Sequence, residues 1–124
     1  VSDVMRSGDA VPRVDPDATF NELMKQISAK SVGATAIVSP TNHVLGIFTD
    51  GDLRRLIEKG FDLRQVSAKE VMHTSPRTIR VNELAAMAAE MMETHSITSI
   101  LVLDADDKLC GIVHISDLMR AKVI

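Results

Sequence analysis

The chain has 124 residues, 45% of them hydrophobic and 25% charged, which is typical of a globular domain and excludes a disordered acidic or basic tail. A net charge of −3 with no Trp, no Tyr and three Phe argues against a nucleic-acid binder, which neutralises phosphates and stacks bases on aromatic rings. No apolar run approaches the ~18 residues that cross a bilayer, and a single Cys predicts a reducing compartment.

The first half of the chain predicts the element order β-α-β-β-α. Residues 12–14 form a short extended stretch, and Asp17 or Thr19 can cap an amphipathic helix. The apolar runs at 34–38 and 44–48 flank a turn and predict a hairpin, after which a second helix closes this half. The apolar face of the first helix consists of Phe20, Leu23, Met24 and Ile27.

Two segments of the chain recur in the same order, so the sequence is two copies of one unit of ~55 residues. Val4-Met5 recurs as Val71-Met72, at an offset of 67. The segment 46–53 recurs as 111–118, at an offset of 65. The two residues of drift require only a small insertion or deletion before the first helix.

The second half therefore predicts the same elements as the first. Residues 78–81 are an extended stretch, 99–103 and 109–113 are strands, and a closing helix begins near Ser116. Asn82 can cap the helix between them, which holds Leu84, Met87, Met91 and Met92. The order β-α-β-β-α, repeated, predicts an α+β fold with helices on a small sheet.

The chain places Val-Met before a helix and a strand. A Gly then follows, with two apolar residues, three further residues and Asp-Leu. This order resembles the cystathionine-β-synthase (CBS) domain. The tandem resembles a CBS pair, and the resemblance covers essentially the whole chain. It implies one CBS repeat at residues 1–62 and a second at 63–124, related by pseudo-two-fold symmetry. It also implies two ligand clefts between the repeats.

A closer resemblance is to the C-terminal half of bacterial D-arabinose 5-phosphate isomerases. Those enzymes carry a sugar-isomerase (SIS) domain ahead of the pair, convert ribulose 5-phosphate to arabinose 5-phosphate and feed synthesis of 3-deoxy-D-manno-octulosonate (Kdo) for lipopolysaccharide or capsule. The chain does not begin with Met, which indicates an excised segment without the catalytic domain. The resemblance implies a cytoplasmic regulatory pair that is not itself an enzyme. The matching segments are residues 1–5, 46–55, 95–99 and 117–121.

Thr49 and Asp52 stand at the expected start of the first closing helix and allow two interpretations. The resemblance to CBS pairs that bind adenosine nucleotides implies that Asp52 contacts the ribose hydroxyls and that Thr49 lies near the phosphate. The alternative is a capping box that needs no ligand. Asp117 repeats Asp52, but His114 replaces the Thr that a cap would use, which favours ligand binding there. Ser116 stands beside Asp117.

Arginines follow both aspartates, and they too can be ligand contacts or have no ligand. Arg54, Arg55 and Arg120 can pair with an oxyanion or lie on solvated helix faces. The candidate ligand-binding residues are thus Thr49, Asp52, Arg55, Thr78, Thr98, His114, Ser116 and Asp117.

We expect neither a catalytic nor a metal site within the chain. The Ser, His and Asp at residues 114–117 are adjacent on one strand end, where side chains point in different directions, so they cannot form a Ser–His–Asp triad. Cys110 and His114 are roughly 13 Å apart along a strand, too far to share a metal. Cys110 is expected in the core, His43 in a solvated turn and His73 in a solvated linker.

The resemblance also implies ligands and partners. No cofactor is required, and AMP, ATP and the nucleotide sugar CMP-Kdo are the candidate ligands. CMP-Kdo offers a ribose to Asp52 or Asp117, a phosphate to a helix N-terminus and a carboxylate to an Arg or His.

The expected protein partners are a second copy of the chain and its own SIS domain. The homodimer forms through the CBS helices, because a small sheet cannot cover the Met-rich run 84–92, and the full-length protein is a tetramer. Neither nucleic acid nor membrane is a partner. Two alternatives remain open: a structural oligomerisation module with vestigial clefts, and a CBS pair of another enzyme or a transporter.

Overall fold

A computed structural model describes residues 1–30 and 32–124. The chain forms two compact units. We call residues 12–76 the repeat-1 unit, and residues 1–11 together with 77–124 the repeat-2 unit. Each unit has its own sheet and its own hydrophobic core, and in the described ranges no helix combines the length and apolarity that a membrane span needs.

The repeat-1 unit is a four-stranded sheet in the order β1-β2-β3-β4 with helices packed on it. β1 runs parallel to β2, and the other neighbouring strands are antiparallel. Leu23, Ile37 and Phe48 are fully buried between sheet and helices, with the Phe20 ring edge-on to Phe48 at 6.1 Å between centroids. The elements are β1 (Arg13–Val14), α1 (Phe20–Lys30), β2 (Ala34–Val38), β3 (Val44–Thr49), α2 (Asp50–Glu58), α3 (Ala68–Val71) and β4 (His73–Thr74).

The repeat-2 unit has a three-stranded sheet in the order β5-β6-β7. β5 is parallel to β6 and β6 is antiparallel to β7, as β1, β2 and β3 are in the other unit. Its core holds Ile100, Val102, Val113 and Leu118, all fully buried. The elements are β5 (Thr78–Arg80), α4 (Ala85–His95), β6 (Ser99–Leu103), β7 (Leu109–His114) and α5 (Ile115–Arg120).

The α+β fold and the predicted order of elements are confirmed, but the caps of the first helices differ from each other. Thr19 caps α1: its Oγ1 accepts the Glu22 amide at 3.1 Å, and the Glu22 carboxylate accepts the Thr19 amide. The prediction that Asn82 caps α4 is wrong. The N-cap of α4 is Leu84, whose side chain makes no capping bond and is 76% exposed rather than part of an apolar face.

Each Val-Met segment packs across a glycine of a third strand. A Cβ at Gly46 would lie 2.6 Å from Met72 Sδ and 2.8 Å from the His73 carbonyl oxygen. A Cβ at Gly111 would meet Met5 Sδ and the Arg6 carbonyl oxygen at 2.5 and 2.8 Å. Glycine is required in β3 and β7 because only hydrogen leaves room for the crossing chain.

These crossings decide which segment belongs to which unit. His73 pairs with Ile47 of β3, so residues 71–74 complete the sheet of the repeat that they follow. Arg6 bridges Ile112 of β7, so the N-terminal residues 1–11 pack in the repeat-2 unit. The sequence boundaries 1–62 and 63–124 remain a prediction about the repeats, whereas the packing units exchange their Val-Met segments. His73, predicted to lie in a linker, is exposed but belongs to β4.

Candidate functional site

The start of α2 brings Thr49 and Asp52 together as a capping box. The Asp52 amide donates to Thr49 Oγ1 at 3.2 Å, while Asp52 Oδ2 accepts the Thr49 amide at 2.9 Å and the Thr49 hydroxyl at 3.0 Å. Arg55, one turn later, donates to Asp52 Oδ1 at 2.6 Å. The geometry of the capping interpretation is therefore present, and the helix needs no ligand to be capped.

The Asp52 carboxylate nevertheless keeps some access to solvent. Its side chain is 19% exposed, and the Arg55 guanidinium that covers Oδ1 is 60% exposed. Such a surface ion pair contributes little stability, because water screens it and two side chains must be ordered to form it. Arg55 can therefore exchange Asp52 for another partner at little cost.

The start of α5 is capped by a histidine. His114 Nδ1 accepts the Ser116 amide at 3.1 Å and lies 2.8 Å from Ser116 Oγ, while Asp117 Oδ2 accepts the His114 amide at 3.0 Å. The expectation that the second copy lacks a capping side chain is wrong, because a neutral imidazole presents an acceptor nitrogen as a Thr presents its oxygen. The preference for ligand binding at Asp117 that rested on it falls away.

Asp117 is buried and surrounded by cations. Its side chain is 4% exposed. Arg6 Nε donates to both carboxylate oxygens at 3.2 Å, and Arg120 Nη1 donates to Oδ1 at 3.3 Å. Arg6 was not among the candidate site residues. The only signal in the sequence was that Arg6 directly follows the Val-Met pair of the first copy, whereas Asp117 belongs to the second copy.

Two groups at the start of α5 have shifted pKa values. Burial lowers the pKa of His114 and the Arg6 cation lowers it further, while Asp117 opposes the shift. Burial alone would raise the pKa of Asp117, but the hydrogen bonds from Arg6 and the His114 amide, together with the Arg6 and Arg120 charges, lower it. At neutral pH a neutral His114 therefore lies beside an ionised Asp117.

Of the remaining candidate residues, Thr98 lies at the start of α5 and Thr78 lies on the neighbouring strand β5. The Thr98 carbonyl accepts the Ile115 amide at 2.8 Å, so Thr98, His114, Ser116 and Asp117 are gathered at one point. Thr78 begins β5 and pairs with Leu101 of the parallel strand β6, three residues along the chain from Thr98. Thr49, Asp52 and Arg55 form the corresponding group of the repeat-1 unit.

Cys110 does not contribute to either group. It was expected in the core but is only partly buried and packs against the core of its unit, and burial raises the pKa of its thiol. In the part of the chain that the structure describes, no three His, Cys, Asp or Glu side chains are grouped in a way that could hold a metal.

Comparison with known families decides the classification. The chain matches the CBS domain family over residues 1–59 and 68–124. It belongs to that family. The expected CBS pair is thus confirmed, with one match in each sequence repeat.

Curated relatives cover the whole pair. Arabinose 5-phosphate isomerase KdsD of Salmonella typhi is 42% identical over 124 residues, which are 100% of this chain and 38% of the relative. KdsD of Escherichia coli K12 is 39% identical over the same 100% and 38%. The CBS pair therefore spans well under half the length of the curated relatives that it matches.

Solved structures share the fold of the CBS pair. A CBS domain protein from Pyrobaculum aerophilum complexed with AMP aligns with a TM-score of 0.83 at 22% identity, covering 94% of this chain and 88% of that one. The CBS domain pair of protein MJ0100, in complex with 5′-methylthioadenosine and S-adenosyl-L-methionine, has a TM-score of 0.86 at 20% identity, covering 99% and 94%.

The neutral His114 predicts a pH-dependent stability. Because its folded pKa lies below the ordinary value of 6.5, its contribution is complete above pH 6.5 and is lost as the pH falls toward the folded pKa. One proton changes the free energy of unfolding by at most about 1.4 kcal/mol per pH unit. His114→Asn keeps a capping oxygen without titrating, so urea denaturation from pH 7.5 to 5.5 should give a flatter profile.

The matched control for this measurement is His43→Asn, which changes an exposed turn histidine. It should keep the wild-type slope. A His114→Asn profile as steep as that of the wild type would contradict the role of His114.

Proposed function

We propose that this chain is the nucleotide-sensing regulatory pair of an arabinose 5-phosphate isomerase. The supporting observation is an identity of 42% across all 124 residues to a relative of which the chain covers 38%. The rest of such a protein has room for the SIS domain that would interconvert ribulose 5-phosphate and arabinose 5-phosphate. The pair would then act in the cytoplasm, in Kdo and lipopolysaccharide biosynthesis, without performing the chemistry.

Nucleotide binding is supported by what the structural neighbours carry. AMP and S-adenosyl-L-methionine, named in the complexes of two neighbours, both contain a ribose. A carboxylate at a helix start suits a ribose hydroxyl, and the Asp52 carboxylate is partly exposed. Thr49 and Arg55 stand beside it, where a phosphate would meet the positive end of α2 and a guanidinium.

CMP-Kdo is the ligand that we propose to be preferred. It has the ribose that Asp52 can accept from, a phosphate, and a sugar carboxylate that AMP lacks. Arg55 is 60% exposed and its bond to Asp52 is a surface ion pair, so it can turn to an anionic group of the ligand. As the product of the downstream pathway, CMP-Kdo would make the pair a feedback sensor if it favoured one state of the catalytic domain.

A titration of the chain with CMP-Kdo, CMP, AMP and ATP tests the ligand. We expect CMP-Kdo to bind more tightly than AMP in calorimetry, and a ligand at 100 times its Kd to add about 2.7 kcal/mol to the free energy of unfolding. Asp52→Asn should weaken binding at least tenfold. Asp62→Asn is the control, because Asp62 is also paired with an arginine, Arg64, in the same unit.

Two other outcomes of the titration would contradict CMP-Kdo as the preferred ligand. Tighter binding of AMP or ATP would contradict feedback by CMP-Kdo. If none of the four binds, the capping boxes at α2 and α5 have only a structural role, and the alternative of an oligomerisation module is favoured.

We also propose that two copies of the chain associate through their helices, with a tetramer in the full-length protein. In the repeat-2 unit α4 and α5 pack against each other. Large apolar side chains on or beside them remain uncovered: Leu84 is 76%, Met87 43% and Met119 60% exposed. Apolar side chains exposed together on neighbouring helices are typical of an interface, and unbranched Met adapts to a partner surface.

Sedimentation equilibrium at high micromolar concentration tests the association. The wild type should be a dimer, and Met87→Lys with Met119→Lys should give monomers, because burying two charges in an apolar interface costs several kcal/mol. Leu45→Lys, at a position on β3 that is 38% exposed, is the control and should leave the dimer intact. A monomeric wild type, or a dimeric double variant, would contradict the helix interface.

A further inference from the structure

The equivalent carboxylates of the two units differ in how many hydrogen bonds they can still accept. An ionised carboxylate has about four acceptor positions. At Asp117, Oδ1 accepts from Arg6 and Arg120, and Oδ2 accepts from Arg6 and the His114 amide. Three N–H donors thus cover all four positions, because both oxygens share the single Arg6 Nε–H, and a ribose hydroxyl could bind only by displacing one of these donors.

Asp52 is less occupied. Oδ2 accepts two bonds from Thr49, its amide and its hydroxyl. Oδ1 accepts one bond, from Arg55, among residues 1–30 and 32–124. One acceptor position on Oδ1 therefore remains available for a hydroxyl, without displacement of the exposed Arg55.

The difference originates in one residue of each Val-Met segment. Arg6 follows Val4-Met5 and bridges Ile112, and His73 follows Val71-Met72 and pairs with Ile47. These positions are equivalent in the two sheets, because Ile112 and Ile47 are related by the repeat offset of 65. The arginine reaches the aspartate of its unit, whereas no bond from the exposed His73 to Asp52 exists among the described residues.

We propose that Arg6 restricts ribose binding to Asp52, so that the pair takes one nucleotide per chain, and that Asp117 instead anchors the N-terminal segment to the repeat-2 sheet. This inference rests on the proposed nucleotide-sensing function. The Asp117 side chain is 4% exposed, and removing one partner of a buried ion pair leaves an uncompensated charge. Displacing Arg6 would therefore cost more than a ribose hydroxyl returns.

Calorimetry with AMP and with CMP as probes measures the stoichiometry and the role of each aspartate. The wild type should bind one nucleotide per chain. Asp52→Asn should weaken binding at least tenfold with little change in Tm. Asp117→Asn should leave the affinity within about twofold but lower the Tm by about 5 °C, because the partly buried Arg6 loses its ion pair with the carboxylate.

A reciprocal substitution tests Arg6 directly. His73→Arg places a guanidinium at the position equivalent to Arg6 and should weaken nucleotide binding at least tenfold, while His73→Gln, the matched control, should bind as the wild type does. Arg6→Ala and Asp117→Asn should each lower the Tm, and the double variant should melt close to either single variant, because both remove the same ion pair.

The outcomes separate this inference from the function on which it rests. Two nucleotides per chain, or an Asp117→Asn variant weakened as much as Asp52→Asn, would overturn the restriction by Arg6 and leave nucleotide sensing standing. Absence of binding by any nucleotide would overturn the proposed function and with it the restriction. If the Tm loss of the double variant equals the sum of the losses of Arg6→Ala and Asp117→Asn, Asp117 does not anchor the N-terminal segment through Arg6. That result would overturn this part of the inference whether or not a nucleotide binds.

Discussion

The close approach of a Val-Met segment to a strand glycine is the constraint on which both units depend. At Gly46 and Gly111 a methionine sulfur and the carbonyl oxygen of the residue after that methionine lie so close to the strand that a Cβ would clash with both. The crossing chain then hydrogen bonds to the third strand, as Arg6 and Ile112 do in both directions at 2.9 and 3.0 Å. An otherwise open sheet edge is covered, and the residue after the methionine is fixed close to the start of the closing helix.

That residue determines the electrostatics of each helix start. In the repeat-2 unit Arg6 engages a buried aspartate, which keeps Asp117 ionised and, together with burial, keeps the His114 ring neutral. In the repeat-1 unit the same backbone position carries His73, and within the described ranges the partners of Asp52 are Thr49 and Arg55 at the start of the same helix. One motif repeated in a single chain therefore gives a well-anchored carboxylate in one unit and an accessible one in the other.

Much of this fold could be predicted from the sequence, because strand patterns and caps are local. The four longer strands, the Thr19 cap and the capping box of Thr49 and Asp52 each depend on residues within a few positions of one another. The His114 cap was missed because capping rules name hydroxyl, amide and carboxylate side chains. An imidazole caps only when it is neutral, and its environment makes it so.

The long-range features could not be predicted. Arg6 and Asp117 are 111 residues apart, and the Val-Met pair of the first sequence repeat packs in the repeat-2 unit. No spacing rule indicates such an exchange, since a repeat shows which segments are alike and not which copies pack together. For the same reason the sequence could not distinguish Asp52 from Asp117 as ligand contacts.

Amide hydrogen exchange at Arg6 tests most directly whether the N-terminal segment is an integral part of the repeat-2 unit. Its amide donates to the Ile112 carbonyl oxygen, and the Ile112 amide donates back. If the segment opens only when the unit unfolds, the Arg6 amide should exchange within about tenfold of the core amide of Ile100. Exchange of Arg6 at the rate of a frayed terminus, with Ile100 still protected, would contradict the anchoring of the segment by Asp117.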